Sequence, residues 1–440
     1  MEARVESAVC PGCACLCDDI DVTVVDGEVY QAANICLWGA GKFLGHKRFH
    51  PKKARHRLWQ PQIRRRGLWE TVTYETALSR TTDILQQARH PLIFGLTNTG
   101  CRAQAAALEV ARLSRARFEP ADLAWKAPYY ESLIKYGVFS TTLEVIRDQA
   151  ETLVFWGANP LHSCPRHVVR YSIFARGRFL ERGHEERRLA AIDLHRTELA
   201  DLVNLFIQIE PGRELALLHD VLAGLEADKP AADKNARRLA ALFQEAQYGV
   251  IFFGRGVSYG PAHELLDGLA ALTARLNERR PFALCPLSAD FNSVGLYHLL
   301  LRELGTPFAP DFSQPGEVSF HAAPVSLAEV DALVVLGADL FWFLKDEEIQ
   351  DLHRRRIPIV AFSPVANRTT GHADVVLPVA LAGVETAETA YRMDGLPLFL
   401  PAVVSTALPS TADLLLTLGR SRTSTSPLVG WWPNSRQSTG

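Results

Sequence analysis

The chain has 440 residues, of which 48% are hydrophobic and 22% charged, and its formal net charge is −2. This length and composition allow two or three buried hydrophobic cores and exclude a coiled coil or a disordered tail. The nearly balanced charge also removes any general argument for binding nucleic acid or a membrane surface.

The beginning of the chain does not predict a secretory signal. No run of 18 or more apolar residues occurs, and Met-Glu-Ala-Arg-Val-Glu lacks the basic and then apolar pattern of a signal peptide. We therefore expect a cytoplasmic protein, in a compartment whose reducing conditions keep cysteines as thiols.

Five of the eight cysteines lie in the first tenth of the chain. Cys10, Cys13, Cys17 and Cys36 have a C-x2-C-x3-C-x18-C spacing, which predicts the ligands of a [4Fe–4S] cluster and leaves Cys15 over. Two alternatives stay open: a tetrahedral zinc site, or vestigial cysteines that hold no metal. Zinc sites usually pair two C-x2-C units, whereas the second half here is a single cysteine. The remaining cysteines stand singly in apolar runs, as core residues do.

A basic strip runs from Lys42 to Arg66 without any acidic residue. Its members are Lys42, Lys47, Arg48, Lys52, Lys53, Arg55, Arg57, Arg64, Arg65 and Arg66. The strip is either a solvated connector or a docking surface for a polyanionic ligand or subunit.

Residues 18–32 alternate apolar and polar side chains around Asp26-Gly27, which predicts a β-hairpin. The hairpin would place Cys10 to Cys17 just before it and Cys36 just after it. A second pair of strands is predicted on either side of Gly67, with Leu58-Trp59 before it and Trp69 to Thr73 after it.

From Thr73 onward, buried strands and helices alternate, which predicts parallel sheets covered on both faces. The predicted strands are Pro91–Gly95, Thr152–Gly157, Leu189–Asp193, Phe206–Ile209, Tyr248–Gly254, Phe282–Cys285, Ala332–Gly337, Ile357–Phe362 and Val375–Pro378. In such sheets, ligands bind beyond the carboxyl ends of the strands. We therefore expect one crevice to be ringed by Gly95-Leu-Thr-Asn98, Gly157-Ala-Asn-Pro160, Asp193-Leu-His-Arg196 and Gly254-Arg-Gly256. Residues 420–440 are rich in Ser and Thr and predict a flexible tail or a docking strap.

Several segments, in order, carry a resemblance to a known family. Beside the cysteine spacing, they are residues 156–167, Ile192–Thr197, Ile209–Gly212, Ala373–Pro378 and Glu385–Gly395. Together they resemble the molybdopterin oxidoreductase superfamily, and within it the B subunit of formylmethanofuran dehydrogenase. The resemblance covers nearly everything from Cys10 to about Pro401.

The resemblance implies an α/β fold with a small cysteine-rich β region at the amino terminus and two doubly wound α/β domains, one of them discontinuous. The expected bounds are residues 1–66 for the cysteine-rich region with its basic connector, 67–145 with 325–419 for the discontinuous domain, 146–324 for the inserted domain, and 420–440 for the tail. In that family, the four cysteines hold a [4Fe–4S] cluster beside a molybdenum or tungsten bispterin.

The sequence departs from the family at the metal site itself. The family's metal-binding cysteine corresponds to Trp125, its neighbouring histidine to Lys126 and its active-site arginine to Ser288. An indole nitrogen is only a hydrogen-bond donor and has no lone pair for a metal. The resemblance therefore implies a degenerate site with no catalytic residue and no molybdopterin or tungstopterin, and we expect Trp125 to plug the vacated pocket.

These departures match the bacterial formyltransferase/hydrolase complex of one-carbon oxidation, in which formaldehyde is oxidised to formate. There, a related B subunit accompanies an amidohydrolase, a formyltransferase and a β-helical subunit, and the formyl group moves from tetrahydromethanopterin to methylofuran before its release as formate. The resemblance implies a redox-inactive scaffold in such a complex. The alternative is an active molybdenum or tungsten subunit with an unexpected metal ligand. An independent cluster-binding electron carrier ranks below both, because the sequence has no second cluster or flavin motif.

Three further expectations concern polar and charged residues. Asn159, Arg166, Asp193 and Arg196 are expected to mark the vestigial pterin pocket, where they either bracket an anion or hold the vacated pocket together. His162, His167 and His195 lie in segments that line this pocket in the family, and we expect hydrogen-bonding roles for them. Because carriers of the methylofuran type bear a polyglutamate chain, the basic strip, or the group Arg170, Arg176, Arg178 and Arg182, is expected to seat that chain or an acidic neighbouring subunit.

Overall fold

The computed structural model describes residues 2–45, 56–226 and 233–420. The central part of the basic strip, residues 46–55, and the predicted tail after Arg420 lie outside the described residues. In the described part of the chain, no helix combines the length and the apolar character that crossing a membrane requires.

The described residues form three larger sheets and a hairpin. The strands are β1 (Glu2–Ala8), β2 (Ile20–Val25), β3 (Glu28–Ala33), β4 (Gln62–Arg65), β5 (Leu68–Thr71), β6 (Pro91–Gly95), β7 (Arg117–Pro120), β8 (Thr152–Trp156), β9 (Arg188–Asp193), β10 (Leu205–Gln208), β11 (Gly249–Phe253), β12 (Phe282–Pro286), β13 (Ala309–Asp311), β14 (Ser319–His321), β15 (Ala332–Leu336), β16 (Ile359–Ser363), β17 (Val375–Pro378), β18 (Glu388–Tyr391) and β19 (Pro397–Leu400).

Helices connect and cover these strands. They are α1 (Leu37–Phe43), α2 (Tyr74–Gln87), α3 (Cys101–Ser114), α4 (Leu123–Tyr136), α5 (Leu143–Gln149), α6 (Pro160–Ser163), α7 (Pro165–Arg170), α8 (Glu214–Gly224), α9 (Lys234–Glu245), α10 (Ala262–Asn277), α11 (Ser293–Leu304), α12 (Asp346–Arg354), α13 (Arg368–His372) and α14 (Thr411–Arg420).

The amino-terminal region is a three-stranded antiparallel sheet in the order β1-β2-β3. The predicted hairpin is present, because Asp26 and Gly27 adopt left-handed φ angles of 51° and 80° between β2 and β3. The loop with Cys10 to Cys17 joins β1 to β2, and Cys36 directly precedes α1. The cysteine-rich stretch therefore lies at one end of this sheet.

The inserted α/β unit has a five-stranded, fully parallel sheet in the order β10-β9-β8-β11-β12. Its central strands β8 and β11 are buried at every position, as the continuous apolar runs predict. The strand order reverses between β8 and β11, which makes this the sheet's topological switch point.

The second α/β unit has nine strands in the order β14-β13-β7-β6-β15-β16-β17-β4-β5. Its five central strands are parallel, and an antiparallel pair extends each edge. The predicted hairpin at Gly67 supplies β4 and β5, although its first strand is Gln62–Arg65 and not Leu58-Trp59. Strands β13 and β14, which the expected bounds place in the inserted domain, also pair with this sheet.

Local sequence signals explain where several helices begin. Thr73 caps α2 by accepting a hydrogen bond from the backbone nitrogen of Thr76, and Thr142 caps α5 in the same way from Val145. Helix α4, by contrast, has no capping side chain and contains Pro128, so no helix is predicted there from the sequence. This helix carries Trp125 and Lys126.

Candidate functional site

A cavity of about 860 Å³ lies where the two α/β units meet. One side is formed beyond β8 and β11 by Gly157 and Gly254, and the other beyond β6 and β15 by Asn98 and Ala338. In each sheet these strands flank the point where the strand order reverses. Two topological switch points therefore face one cavity, which is where ligands bind in folds of this class.

All four loops that were expected to ring one crevice contribute to this cavity. The contributing residues are Thr97, Asn98, Gly157, Ala158, Asn159, Asp193, Gly254, Arg255 and Gly256. A fifth loop, Leu287–Asp290 after β12, completes the lining. The parallel-strand pattern was thus sufficient to locate the cavity.

Aromatic side chains that the sequence analysis did not single out line the cavity and remain exposed. Tyr259, Trp342 and Phe343 are exposed by 68%, 67% and 54%. The guanidinium of Arg255 lies 4.5 Å from the ring centroid of Phe343, which brings together loops from the two sheets. The sequence feature that could have pointed to Trp342 and Phe343 is the aromatic run Phe341-Trp342-Phe343, which follows soon after a buried strand.

Close backbone contact fixes the loops at the switch point of the inserted unit. The backbone nitrogen of Gly256 donates a hydrogen bond to the oxygen of Gly157 at 2.9 Å. A Cβ on Gly256 would lie 2.6 Å from that oxygen, and one on Gly157 would lie 2.8 Å from the nitrogen of Val257. Only glycine allows this approach, so the Gly254-Arg-Gly256 motif has a structural role.

Trp125 lies in the wall of the cavity. Its side chain is 5% exposed, and its ring meets Phe253 edge-on with centroids 6.0 Å apart. The cavity remains open beside it. The indole packs edge-on against Phe253 at the end of β11, and the expected role of Trp125 as a plug stays a prediction.

Lys126 is fully buried behind Trp125. Its Nζ lies 4.8 Å from the Trp125 ring centroid and makes no hydrogen bond with any described residue. Burial lowers the pKa of this amine, an effect opposed by the nearby Asp122, Asp290 and Cys164. Burial likewise raises the pKa of Asp122 to about 6, although the charge of Lys126 acts in the opposite direction. Lys126 and Asp122 are thus buried charged groups beside the cavity, whose lining includes Asp122 and Asp290.

Ser288 connects this cavity to the cysteine-rich loop. Its side chain is buried and accepts a hydrogen bond from the backbone nitrogen of Asp290 at 3.3 Å. Its carbonyl oxygen accepts hydrogen bonds from the nitrogen of Ala14 at 3.3 Å and the thiol of Cys164 at 3.1 Å. Ser288 thus lies between the cavity and the cysteine-rich loop.

The four residues expected to mark the pterin pocket do not converge. Asn159 and Asp193 line the cavity. Arg166, however, donates two hydrogen bonds to Asp19 at 2.5 and 2.6 Å, and Arg196 pairs with Asp201 at 2.6 Å. Neither arginine belongs to the lining of the cavity. Both guanidinium groups are occupied by carboxylates instead of facing an anion in the cavity.

The three histidines differ in their surroundings. His162 lines the cavity and lies 3.2 Å from Glu198, and both side chains are exposed. His167 is fully buried, and its Nδ1 lies 2.9 Å from the hydroxyl of Ser172. Burial lowers the pKa of His167 to about 3, so its imidazole is neutral. The backbone nitrogen of His195 donates to Asp193 at 3.3 Å.

The cysteine-rich loop packs closely on the start of α1. Cys10, Cys13, Cys15 and Cys17 are buried, and Cys36 is partly exposed. A Cβ on Gly39 would lie 2.8 Å from Sγ of Cys10, so only glycine leaves space for the sulfur there. Burial raises the pKa of the Cys10 thiol, and the nearby thiols of Cys17, Cys13 and Cys36 raise it further.

This arrangement fits an iron–sulfur cluster. The four cysteines expected as ligands supply the sulfur donors that such a cluster requires, and the thiols of Cys13, Cys17 and Cys36 lie near enough to Cys10 to influence its pKa. The same test fails for a molybdenum or tungsten bispterin, because the expected ligand position holds an indole and no cysteine lines the cavity in the described part of the chain.

The structure adds one cysteine to this region that sequence reasoning assigned to the core. Cys164 lies between α6 and α7, and the Sγ atoms of Cys13, Cys15 and Cys164 are all within 4.8 Å of one another. No spacing rule joins Cys164 to cysteines so far away in the chain. Only the tertiary fold brings them together.

Known proteins are similar to this chain in sequence and in fold, whereas no protein-family model matches it. The chain is 33% identical to the B subunit of the tungsten-containing formylmethanofuran dehydrogenase 2 of Methanocaldococcus jannaschii, over 91% of this chain and 94% of that relative. It is 29% identical to the B subunit of the enzyme of the same name from Methanococcus maripaludis, over 91% of this chain and 94% of that relative.

Two solved structures share the fold. A chain of the formyltransferase/hydrolase complex (FhcABCD) from Methylorubrum extorquens, determined in complex with methylofuran, superposes with a TM-score of 0.65 and 18% identity, covering 82% of this chain and 98% of that one. Acetylene hydratase from Pelobacter acetylenicus superposes with a TM-score of 0.68 and 13% identity, covering 95% of this chain and 70% of that one. The chain therefore shares its fold with both structures, and the predicted α/β fold class is confirmed. From the extent and level of its sequence identity, the chain belongs to the family of formylmethanofuran dehydrogenase B subunits.

Proposed function

We propose that this chain is a redox-inactive B subunit that acts as a scaffold in a formyltransferase/hydrolase complex of one-carbon oxidation. The observation that carries the proposal is Trp125 in the cavity wall, at the position where the resemblance places the metal-binding cysteine. A metal centre of this family needs a donor with a lone pair, and an indole offers none.

The neighbouring side chains support the same conclusion. Lys126 is enclosed by protein, and Ser288, in the cavity lining, accepts a hydrogen bond from the backbone nitrogen of Asp290. A buried amine and a small hydroxyl would thus stand where the resemblance places a histidine and an arginine. Such replacements preserve the packing of the two α/β units while removing the groups that the redox reaction needs.

The partners of the chain would supply the chemistry. A solved structure with the same fold comes from a formyltransferase/hydrolase complex that contains methylofuran. We infer an amidohydrolase, a formyltransferase and a β-helical subunit as partners of this chain. In the amidohydrolase, a metal-bound hydroxide would attack the formamide carbon and release formate without any electron transfer.

Metal analysis combined with two activity assays tests the proposal on the complex as isolated. We expect molybdenum and tungsten far below one atom per chain, no formate-dependent reduction of a viologen dye, and formate release from formyl-tetrahydromethanopterin. A complex assembled without this chain should lose most of that release. One molybdenum or tungsten atom per chain, together with dye reduction, would overturn the proposal.

The second candidate is an active molybdenum or tungsten subunit. It is favoured by the cavity itself, which at about 860 Å³ is large enough for a bulky ligand. This candidate requires stoichiometric metal and formate oxidation, so the same measurements decide between the two.

The basic strip would bind the polyglutamate chain of a methylofuran-type carrier or an acidic subunit. At its described end, Arg65 is exposed and pairs with Glu70 at 3.3 Å, whereas Arg64 packs 4.5 Å from the Trp69 ring centroid and donates to the oxygen of Gly371 at 2.7 Å. Because Arg64 supports the fold, the test leaves it in place and changes three other members of the strip, Lys52, Lys53 and Arg65.

We expect the combined substitutions Lys52→Gln, Lys53→Gln and Arg65→Gln to weaken carrier retention or subunit association several-fold at low salt, with a smaller effect at high salt because screening already weakens the contact. Retention on gel filtration at two salt concentrations measures this. A matched control removes three charges elsewhere, by Lys234→Gln, Arg279→Gln and Arg280→Gln. Equal behaviour of the two triple variants would contradict the assignment.

A further inference from the structure

We propose that the open edge of β5 binds a partner subunit, which adds an extended acidic segment to the nine-stranded sheet as a further strand. The inference rests on the proposed function, which gives this chain partner subunits, and it deepens that function by naming the surface of contact. Strand β5 is the last strand of its sheet, and no described strand lies beyond it. All four of its residues are exposed.

The hairpin of β4 and β5 holds this edge in place. Arg66 and Gly67 join the two strands with left-handed φ angles of 51° and 83°, as a two-residue type I′ turn requires. On its other side, β4 pairs with β17, and the backbone nitrogen of Arg64 donates to the oxygen of Asp374 at 2.7 Å. The edge is therefore anchored to the sheet before any partner arrives, which lowers the entropic cost of binding.

Two residues of β5 direct their backbone groups outward. The nitrogen of Val72, just after the strand, donates to the oxygen of Pro61 at 3.0 Å. Residues that bond to the neighbouring strand alternate along an antiparallel pair, so Trp69 and Thr71 direct their N–H and C=O groups to the open edge, whereas the other two residues bond to β4. An added strand would use these outward donors and acceptors.

The side chains along the edge suit a protein partner. Leu68 is 76% exposed and Trp69 is 40% exposed, whereas sheet edges that resist association commonly carry lysine or proline. The guanidinium of Arg64 lies 4.5 Å from the Trp69 ring centroid and orients the indole. Tryptophan and arginine are among the residues that carry most of the binding energy at protein interfaces.

The charge of the hairpin favours an acidic partner. Residues 62–71 contain three arginines and one glutamate, which gives a net charge of +2. The glutamate, Glu70, already pairs with Arg65 at 3.3 Å. A second copy of this chain would bring two positively charged hairpins together, whereas carboxylates on a strand from another subunit would be attracted. The occupant is therefore an acidic segment of a different subunit.

Amide hydrogen exchange with single-residue resolution tests the contact on the unaltered protein. In the full-length chain without partners, the amides of Trp69 and Thr71 should be about tenfold less protected than that of Glu70, which bonds to β4. In the complex as isolated, we expect both amides to gain about tenfold protection or more. Equal protection of the three amides in the chain alone, or no gain in an assembled complex, would overturn the proposal. The proposed function fails on metal content and dye reduction, which this measurement does not use.

A proline variant separates backbone pairing from side-chain contact. Thr71→Pro removes an outward N–H and keeps the bonds to β4, because an edge strand tolerates proline where its N–H faces away from the sheet. We expect subunit association about tenfold weaker, measured by analytical ultracentrifugation. The matched control Thr71→Val keeps the N–H and should associate like the wild type. Equal association of both variants and the wild type would contradict strand addition.

Photocrosslinking identifies the occupant of the edge. Leu68→p-benzoylphenylalanine places a photoreactive ketone there, and mass spectrometry of the irradiated, purified complex locates the linked peptide. We expect a peptide of net negative charge from another subunit. A link to a second copy, to residues 46–55 or 421–440 of the same chain, or to a segment without net negative charge would show that the assigned partner is wrong.

Discussion

Glu388 is a buried carboxyl group at the start of β18. The side chain of Glu388 packs against Gly100, and the residue as a whole is 4% exposed. Its Oε2 atom has no hydrogen-bond partner among the described residues. Burial raises the pKa of Glu388 to about 7, an effect that the charge of Arg102 opposes and that of Asp413 supports. The native state therefore holds this proton at pH values at which an exposed glutamate has lost it.

This carboxyl group should make the stability of the protein fall as the pH rises. Between pH 4.5, the usual pKa, and about 7, the native state binds more protons than the unfolded state, so the free energy of unfolding decreases by about 3 kcal/mol across that window. Glu388→Gln should remove this decrease and raise the urea midpoint at pH 8 but not at pH 4. The exposed Glu75→Gln is the control. Equal pH profiles for wild type and Glu388→Gln would contradict the prediction.

The residue-scale predictions from sequence succeeded where the chain itself carried the signal. The strand-end loops place Asn159 and Asp193 in the cavity lining, as expected. The partners of Arg166 and Arg196 were not predictable, because their carboxylates lie in other turns and sequence spacing does not reveal such pairs. The approach of Cys164 to Cys13 was hidden for the same reason.

At the scale of elements, the loops after β8 and β11 are in close backbone contact where they line the cavity. Gly256→Ala would place a Cβ 2.6 Å from the oxygen of Gly157, which is a backbone atom and cannot rotate away. We expect a loss of about 1–3 kcal/mol in the free energy of unfolding. Thermal unfolding monitored by circular dichroism measures it.

The control for that variant has the opposite expected sign. Gly371→Ala lies within α13, where a Cβ would meet nothing within 4 Å. Alanine should stabilise this helix by about 0.5–1 kcal/mol, because glycine loses more backbone entropy on folding. If both variants shifted the midpoint in the same direction, close backbone approach at Gly256 would not be the cause.

Most of the regular elements were predictable because their hydrophobic periods are strong. Helix α2 follows its Thr73 cap, and the buried strands β6, β8, β11 and β15 coincide with short apolar runs. Helix α4 was missed because Pro128 and a cap without a side-chain hydrogen bond conceal it. Strands β13 and β14 have only three residues each. They form because β13 pairs with β7 and β14 pairs with β13, and no local sequence pattern predicts such pairing.

At the scale of the whole molecule, the turn between β18 and β19 connects distant parts of the chain. Arg392 is buried and donates to Glu144 at 2.7 and 2.6 Å and to Asp394 at 2.6 Å. Asp394 also accepts from the backbone nitrogen of Leu143, and the nitrogen of Met393 donates to Ala14 in the cysteine-rich loop. Glu144 accepts hydrogen bonds from Arg392, and this lowers the pKa of the Glu144 carboxyl group below its usual range.

Arg392→Met should destabilise the protein strongly, because it leaves the buried carboxylate of Asp394 without its cation. Removing one partner of a buried ion pair costs about 3–5 kcal/mol, so we expect a clear decrease in the urea midpoint. Arg354→Met, which removes an exposed partner of Asp351, should leave the midpoint almost unchanged. Similar midpoints for the two variants would contradict a joining role for the turn.

The interrupted nine-stranded sheet has a consequence for how the protein is made. During synthesis, β6 leaves the ribosome long before its neighbour β15, since Pro91 pairs with Ala332 across the whole intervening unit. The apolar edge of β6 therefore stays without its partner β15 while the inserted unit is translated and folds into its own parallel sheet. Such a delay slows folding and leaves an edge open to other chains, so newly made polypeptide should depend on chaperones until β15 arrives.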